Sequence, residues 1–232
     1  MDTFIEGLRE ALRLIISLDP SVVEVALRSL QVTITALGIC IVIGIPAGAA
    51  LALIRFPGKR LLTALIYTGM GFPPVVIGLM VYLLLSRSGP LGSLGWLFTL
   101  RAMILAQIIL ATPLIVGITM SSVLGVDPGL QPQLRALGAT RWQIVRALLL
   151  EARFGIIVGV VAGFGSVISE VGAVMLVGGN IEGRTRVMTT AIVLETRQGS
   201  FDFALALGII LLALSFITNL TMVLGQGKLS SS

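Results

Sequence analysis

Five long apolar stretches constrain the fold of this chain more than any other feature. They cover residues 29–54, 61–85, 101–124, 154–177 and 203–224. About 20 residues of α-helix cross a bilayer core of roughly 30 Å, so each stretch is long enough to span a membrane. Lipid cannot bond free backbone N–H and C=O groups, and none of the stretches alternates like a barrel strand. The sequence therefore predicts an all-α membrane protein with five transmembrane helices.

The overall composition favours the same class of protein. Of 232 residues, 56% are hydrophobic and 12% are charged, whereas about 25% of the residues in ordinary soluble domains are charged. A net charge of +5 is compatible with nucleic-acid binding, but the basic residues are scattered between apolar stretches and form no continuous stripe. We therefore expect the lipid bilayer, and no nucleic acid, as a partner of the chain.

The residue types exclude several kinds of chemistry. Histidine is absent and Cys40 is the single cysteine, so one chain contains neither a disulfide nor a Cys/His metal cluster. No phosphate loop of the form Gly-x-x-x-x-Gly-Lys-Ser/Thr occurs, so the chain is not expected to hydrolyse ATP. Glu170 has no His, Cys or second buried carboxylate nearby in sequence to complete a catalytic set. We expect no catalytic residue, no metal site and no cofactor in this chain, and hence no enzyme.

The two ends of the chain differ from the apolar stretches. Leu8, Leu12 and Ile15 recur at helical spacing, opposite Arg9 and Arg13, which predicts an amphipathic helix within residues 1–20. Two placements of this helix stay open: it lies on the membrane surface, or it wraps around the partner subunit of a dimer. Residues 227–232 are predicted to form a short C-terminal tail.

The orientation follows from the short connection between the first two stretches. Arg55, Lys59 and Arg60 are concentrated there, and basic residues in short loops favour the cytoplasmic side. We therefore expect the N-terminus outside and the C-terminus in the cytoplasm.

The connection over residues 126–153 carries the most distinctive motif. Its segment 134–143 is cationic and centred on Gly138, and it lies between two apolar stretches that each span the membrane. This places a shaped surface in water on the cytoplasmic side.

Helix breakers and polar residues within the apolar stretches suggest a pathway. Glycine and proline occur at 44–48, at 71–74 and at Thr112-Pro113, and proline loosens a helix locally. Glu170 is the only carboxylate well inside a stretch, with Ser166 and Ser169 beside it, so it must face protein or water. Three roles stay open for Glu170: part of a gate or subunit latch, a structural helix–helix hydrogen bond, or a direct ligand of an anion.

The segment between the last two stretches combines a glycine turn with a short apolar run. The run at 187–194 is too short to span a bilayer and predicts an external or re-entrant helix. The turn at 178–180, which includes Asn180, is either a plain tight turn or a nest of backbone N–H groups that meets an anion.

Two motifs resemble a known family. Residues 136–142, Ala-Leu-Gly-Ala-Thr-Arg-Trp, are similar to the cytoplasmic coupling loop of type I ABC importer permeases, although 132–134 and Glu151 depart from its usual Glu-Ala-Ala and Pro. Residues 169–174, 177–181 and 184–188 resemble the corresponding region of sulfate, molybdate and tungstate permeases, and are most like tungstate permeases.

The resemblance implies a fold and a set of functional residues. Residues 21–226 would form an ABC transmembrane domain that imports tungstate by alternating access through a homodimeric pore in a prokaryotic inner membrane. The ATPase-coupling residues would be Leu134, Arg135, Ala136, Leu137, Gly138, Ala139, Thr140, Arg141 and Gln143. The candidate pathway or gate residues are Thr112, Pro113, Ser166, Ser169, Glu170 and Asn180.

The resemblance also implies partners. Two ABC ATPase subunits, which bind ATP and Mg, would dock on the cytoplasmic face, and a periplasmic or extracellular binding protein would deliver the substrate. Two rival interpretations remain: a permease for molybdate, sulfate or another small solute, and an ATP-independent channel or membrane scaffold. In the scaffold, residues 134–153 would be an ordinary basic amphipathic helix.

Overall fold

A computed structural model of the chain describes residues 2–230, with side chains at residue 5 and residues 7–224. Its described residues form α-helices and one short 3-10 helix, and contain no β-strand. In chain order the helices are α1 (Asp2–Ile16), α2 (Pro20–Leu53), α3 (Lys59–Met70), α4 (Pro74–Leu85), the 3-10 helix (Gly92–Leu94), α5 (Leu100–Leu124), α6 (Leu130–Ala136), α7 (Arg141–Glu151), α8 (Arg153–Ile168), α9 (Gly172–Gly178), α10 (Met188–Gln198) and α11 (Phe201–Ser230).

Three of the predicted spans are continuous helices and two are bent. Helices α2, α5 and α11 are each long and apolar enough to cross a membrane. The predicted spans over 61–85 and 154–177 are each a pair of helices, and the first pair is divided at the predicted interruption over 71–74. The α3–α4 pair is bent by 104° and the α8–α9 pair by 54°, so the described residues hold up to five spans if each pair counts as one.

The bend between α3 and α4 follows directly from the sequence. Gly71, Phe72 and Pro73 separate the two helices, and a proline disfavours helical backbone in the residue before it. The same rule does not break α2 at Pro46 or α5 at Pro113, since both helices run through their proline without interruption. Transmembrane helices tolerate such prolines where neighbouring groups bond the freed carbonyls.

Helix α2 begins nine residues before the first apolar stretch. The Asp19 carboxylate accepts hydrogen bonds from the backbone N–H of Ser21 at 2.9 Å and of Val22 at 3.3 Å, which caps the helix. Glu24 and Arg28, one turn apart, form an ion pair at 2.7 Å. Glu24 and Arg28 lie before the predicted apolar stretch, but they belong to the same helix.

The centre of the bundle is the contact between α2 and α5. Small residues allow it, because a Cβ on Gly48 would lie 2.6 Å from the Val116 carbonyl oxygen and one on Gly44 would lie 2.8 Å from Ile115 Cγ2. Helix α8 packs on the same face of α5, where Gly159 meets Ile118. Close backbone approach through small residues is a common way for helices to associate in lipid.

The first and last helices pack on each other. Ala11 of α1 is completely buried in a cluster with Ala206 and Leu207 of α11, while Leu12 and Ile16 of α1 remain exposed. The placement of α1 on a membrane surface or on a second subunit stays a prediction. Helix α11 runs on to residue 230, and residues 1, 231 and 232 of the predicted terminal segments lie outside the described residues.

Several connections between helices meet at one end of the bundle. At one end of the bundle, the α2–α3 turn, the α5–α6 connection and α7 meet around a cavity lined by Leu53, Lys59, Asp127 and Leu148. The Lys59 ammonium donates to the carbonyls of Ala52 at 3.2 Å and Ile54 at 3.1 Å, and so caps the end of α2. The bends of the two broken pairs lie on the surface of the chain, where Phe72 and Ser169 are exposed.

Candidate functional site

The predicted coupling segment is a turn between two short helices. Helix α6 ends at Ala136, and Gly138 adopts a φ of 78°, in the left-handed region. The Gly138 N–H donates to Arg135 O and the Ala139 N–H donates to Leu134 O, both at 3.0 Å. This pair of bonds is a Schellman motif, in which glycine is favoured because it lacks a Cβ. The chain therefore reverses direction at Gly138.

The following helix is fixed by its first residues. The Thr140 hydroxyl accepts from the Gln143 backbone N–H at 3.4 Å, and the Thr140 backbone N–H donates to Gln143 Oε1 at 2.8 Å. This reciprocal capping box defines where α7 begins. A helix that starts and stops at set residues gives the turn a definite shape.

The turn presents both charge and apolar area. Leu137 is 82% exposed and Trp142 is 74% exposed, and no ion pair engages Arg135 or Arg141 among the described side chains. Exposed large apolar side chains in a compact turn are typical of a protein-binding surface. Trp142, an aromatic residue in a polar loop, adjoins the predicted coupling residue Arg141 and belongs to the same exposed surface.

The turn is attached to the bundle through α7 and α8. Ile144 and Leu148 of α7 are buried, and Ala152 is both the last cap of α7 and the first cap of α8. The turn is therefore joined to α8 through α7 and the shared residue Ala152. The single long amphipathic helix over 134–153, expected for a scaffold, is not what the structure has.

The second group of predicted residues lies at the bend between α8 and α9. Ser166 and Ser169 are exposed, and Glu170 is half-buried. The Ser169 hydroxyl donates to the Gly165 carbonyl at 2.6 Å. The Glu170 carboxylate accepts from the Ala173 backbone N–H at 2.9 Å, at the start of α9. Glu170 thus bonds one free N–H group of the helix that follows it, a favourable position for a negative charge.

The two bends lie side by side. A Cβ on Gly172, the first residue of α9, would lie 2.7 Å from Val75 Cγ2 and 3.7 Å from Val75 N, at the start of α4. One turn further, a Cβ on Gly78 would lie 2.6 Å from Ala173 Cα. The second halves of both broken spans therefore touch backbone to backbone, and a shift of α9 must move α4.

Thr112 and Pro113 lie beside this region on α5. The Thr112 hydroxyl donates to Cys40 Sγ at 3.4 Å, across the α2–α5 contact. The Pro113 ring faces Gly69 of α3, where a Cβ would come within 2.9 Å of it. Pro113 is thus a packing residue for α3, just before the α3–α4 bend.

The structure places Asn180 away from the bends and corrects one expectation. Asn180 follows the far end of α9 with a φ of 50°, and its amide donates to Thr190 O at 3.4 Å. The Gly179 N–H donates to Met175 O, and the Ile181 N–H donates to the Thr185 hydroxyl. Because these N–H groups bond within the chain, the interpretation as an anion-binding nest is wrong and the turn is a helix cap.

Glu170 variants separate the effect of its hydrogen bond from that of its charge. Glu170→Leu removes the acceptor at the start of α9, and we expect it to lower the free energy of unfolding by about 1–2 kcal/mol, as for other lost caps. Glu170→Gln keeps an oxygen at the same place and is expected to retain most of that stability. Thermal unfolding in detergent measures both, and equal losses in the two variants would show that the charge matters instead.

Metal binding has no evident site in the described part of the chain. There, no group of three or more His, Cys, Asp or Glu side chains is placed to hold a metal ion. The two candidate sites are the exposed turn around Gly138 and the pair of adjacent helix breaks.

Comparison with known proteins connects these sites to a family. Residues 41–229 match the model of the family described as "Binding-protein-dependent transport system inner membrane component". A protein of Haloferax volcanii named as a probable anion ABC transporter permease is 45% identical over 85% of this chain and 87% of its own.

Two further relatives and one structure extend the comparison. The tungstate uptake permease TupB of Peptoclostridium acidaminophilum is 40% identical over 94% of this chain and 96% of its own. The molybdenum permease ModB of Escherichia coli is 33% identical over 85% and 90%. A bacterial alginate ABC transporter, solved in complex with a periplasmic protein, superposes with a TM-score of 0.70 at 20% identity, covering 96% of this chain and 86% of its own.

Proposed function

The chain belongs to the family of binding-protein-dependent transport system inner membrane components, and we propose that it is the permease through which an ABC importer carries tungstate. The observation that carries the proposal is the 40% identity to a tungstate uptake permease over 94% of the chain. The molybdenum permease is more distant, at 33% over 85%. Molybdate, sulfate and other small solutes are therefore the second choice of cargo.

The assembly that we propose is a homodimer with the pathway on its two-fold axis. The described residues of one chain hold at most five spans, too few helices to surround a gated pore. Closed two-fold symmetry is the commonest arrangement of identical subunits. Large exposed apolar side chains along the bent α3–α4 pair, among them Leu65, Phe72, Val75 and Leu79, support an interface there. Ser166, Ser169 and Glu170 would then face the shared pathway, with Thr112 and Pro113 behind them.

The partners that we propose follow from what this chain lacks and what it exposes. Two ABC ATPase subunits, which bind ATP and Mg, would each receive one exposed turn around Gly138, with Leu137 and Trp142 as the apolar contacts. A binding protein would deliver the anion to the other face. The described residues hold no domain of their own for capturing a ligand, since all of them belong to the helical bundle and its connections.

The mechanism that we propose is alternating access driven through α7. ATP-driven approach of the two ATPase subunits moves the Gly138 turn, and α7 passes the movement to α8 through Ala152. The α8–α9 bend then shifts α9, and the contact of Gly78 with Ala173 carries α4 with it. This chain of contacts joins the turn to both helix breaks, so the pathway opens to alternate sides as the turn moves.

The location that we propose is a prokaryotic inner membrane, with the N-terminus outside and the C-terminus in the cytoplasm. Arg55 lies in the short α2–α3 connection and Lys59 and Arg60 begin α3, at the same end of the bundle as α7. A basic short loop favours the cytoplasmic side. The exposed turn then lies where an ATPase is present.

The test of the permease assignment is recovery of the partners. The tagged chain is solubilised from its own membrane in mild detergent, and the bound proteins are quantified by mass spectrometry. The proposal predicts an ABC ATPase in equal number to this chain, with two copies of each per complex. Recovery of the chain alone, with the ATPase present in the same membrane extract, would favour the channel or scaffold.

A further inference from the structure

The bend between α8 and α9 is held by side chains from two other helices. Where a helix breaks, backbone carbonyls lose their partners in the following turn. The Val167 carbonyl accepts from Gln107 Nε2 of α5 at 2.9 Å, and the Glu170 carbonyl accepts from the Thr189 hydroxyl of α10 at 2.8 Å. These two donors lie 60 and 19 residues away from their acceptors in sequence.

The two donor side chains are buried within the chain. Gln107 is 2% exposed and Thr189 is 6% exposed. The Val167 carbonyl also accepts from the Glu170 N–H at 3.4 Å, so Gln107 supplies the shorter of these two bonds. A poorly bonded backbone carbonyl is costly inside a membrane protein, and the loss of either donor therefore favours a conformation that satisfies the carbonyl in another way. A straighter α8–α9 helix is such a conformation, because it restores helical hydrogen bonds to those carbonyls.

A small polar cavity lies at the same place. Ser29, Thr33, Gln107, Glu170 and Thr189 contribute to its lining, and its volume is about 10 Å³. The buried Oε1 of Gln107 has no hydrogen-bond partner among the described residues. A volume of this size matches one water molecule and is too small for a tetrahedral oxyanion. The cavity is therefore part of the packing of the bend and not a binding site for the cargo.

We propose that Gln107 and Thr189 are positioning residues for transport, which hold the α8–α9 bend so that α9 keeps its contact with α4. Both residues bond backbone carbonyls of the bend rather than the side chains of Ser166, Ser169 or Glu170. This inference rests on the proposed function for its transport effect. The geometry of the bend itself does not depend on the cargo.

The first test measures the bend directly. Spin labels on V158C in α8 and L176C in α9, both exposed positions, report the distance across the bend once Cys40, the single native cysteine, is replaced by serine. The full complex in lipid nanodiscs is used. In the Gln107→Met, Thr189→Val double variant we expect a broader distribution with a mean longer by about 3 Å, as the rise of 1.5 Å per residue gives for straightening.

Two matched variants serve as controls. The single variant Thr189→Ser keeps the hydroxyl and is expected to retain the distance measured in the parent protein. Thr33→Val changes a buried hydroxyl in the same cavity that makes no hydrogen bond to the bend among the described residues, and it is expected to leave the distance unchanged.

The second test separates positioning from general loss of stability. Tungstate uptake per ATP hydrolysed is expected to fall about tenfold in the double variant, within the usual range of coupling between sites, while ATP hydrolysis persists. An unchanged distance in the double variant overturns the inference, as does a parallel loss of uptake and hydrolysis. Absence of tungstate transport by the parent complex would instead count against the proposed cargo, and the distances would still decide the role of the bend.

Discussion

Replacing Gly138 by valine is expected to abolish ATP-driven uptake while the helical bundle stays folded. Gly138 has a φ of 78°, and a Cβ there would meet no atom of the chain within 4 Å. The left-handed conformation costs an L-residue roughly 1–2 kcal/mol, a modest loss for the fold. The new side chain would, however, stand on the surface that the ATPase approaches. Uptake and recovery of the ATPase with the tagged chain are the two measurements.

Gly58 supplies the matched control for Gly138. It has a φ of 85°, also meets no atom within 4 Å, and precedes α3 at the same end of the bundle. Gly58→Val therefore carries the same backbone strain without altering the Gly138 turn. We expect it to retain uptake and the bound ATPase. Equal uptake by the Gly138 and Gly58 variants would contradict the role assigned to the turn.

Replacing Gly78 by valine is expected to separate the two broken spans. A Cβ at Gly78 would lie 2.6 Å from Ala173 Cα and 3.1 Å from Ala173 Cβ, and the obstacle is backbone that cannot rotate away. Overpacking of this kind costs about 1–3 kcal/mol, so the melting temperature in detergent should fall. Uptake should fall by about tenfold or more, since coupling between sites amounts to about 1–3 kcal/mol.

Gly38 is the control for the Gly78 variant. It lies inside α2, and a Cβ there would meet no atom within 4 Å. Gly38→Val tests the cost of a β-branched residue in a membrane helix without a helix–helix collision. Its melting temperature and uptake should remain near those of the parent protein. Normal uptake by Gly78→Val would show that the contact between α4 and α9 is not needed for transport.

The spans and one of the two bends could be predicted from the sequence. Apolar length fixes where helices cross a bilayer, and prolines at 73 and 74 mark the break before α4. The break after Ile168 has no such mark, because it contains no proline and depends on donors from Gln107 and Thr189. Pro46 and Pro113, where the sequence suggested local loosening, lie inside continuous helices.

The structure of the coupling turn could be predicted from the sequence better than that of the helix breaks. A glycine after a short helix and a Thr-x-x-Gln capping pattern are local signals, and both appear in the structure as the Gly138 turn and the Thr140–Gln143 box. For the 178–180 turn the sequence left a plain tight turn and an anion-binding nest open, and the choice between them depends on tertiary contacts. Thr185, which follows the turn, accepts from the Ile181 N–H, and this bond needs the folded loop.

The cargo is the central claim, and elemental accumulation tests it most directly. Tungsten and molybdenum are measured by mass spectrometry in cells with and without this chain, at trace supply of both oxyanions. Our account predicts that loss of the chain removes tungsten accumulation and leaves molybdenum near its normal level. Unchanged tungsten, or a loss confined to molybdenum, would contradict it.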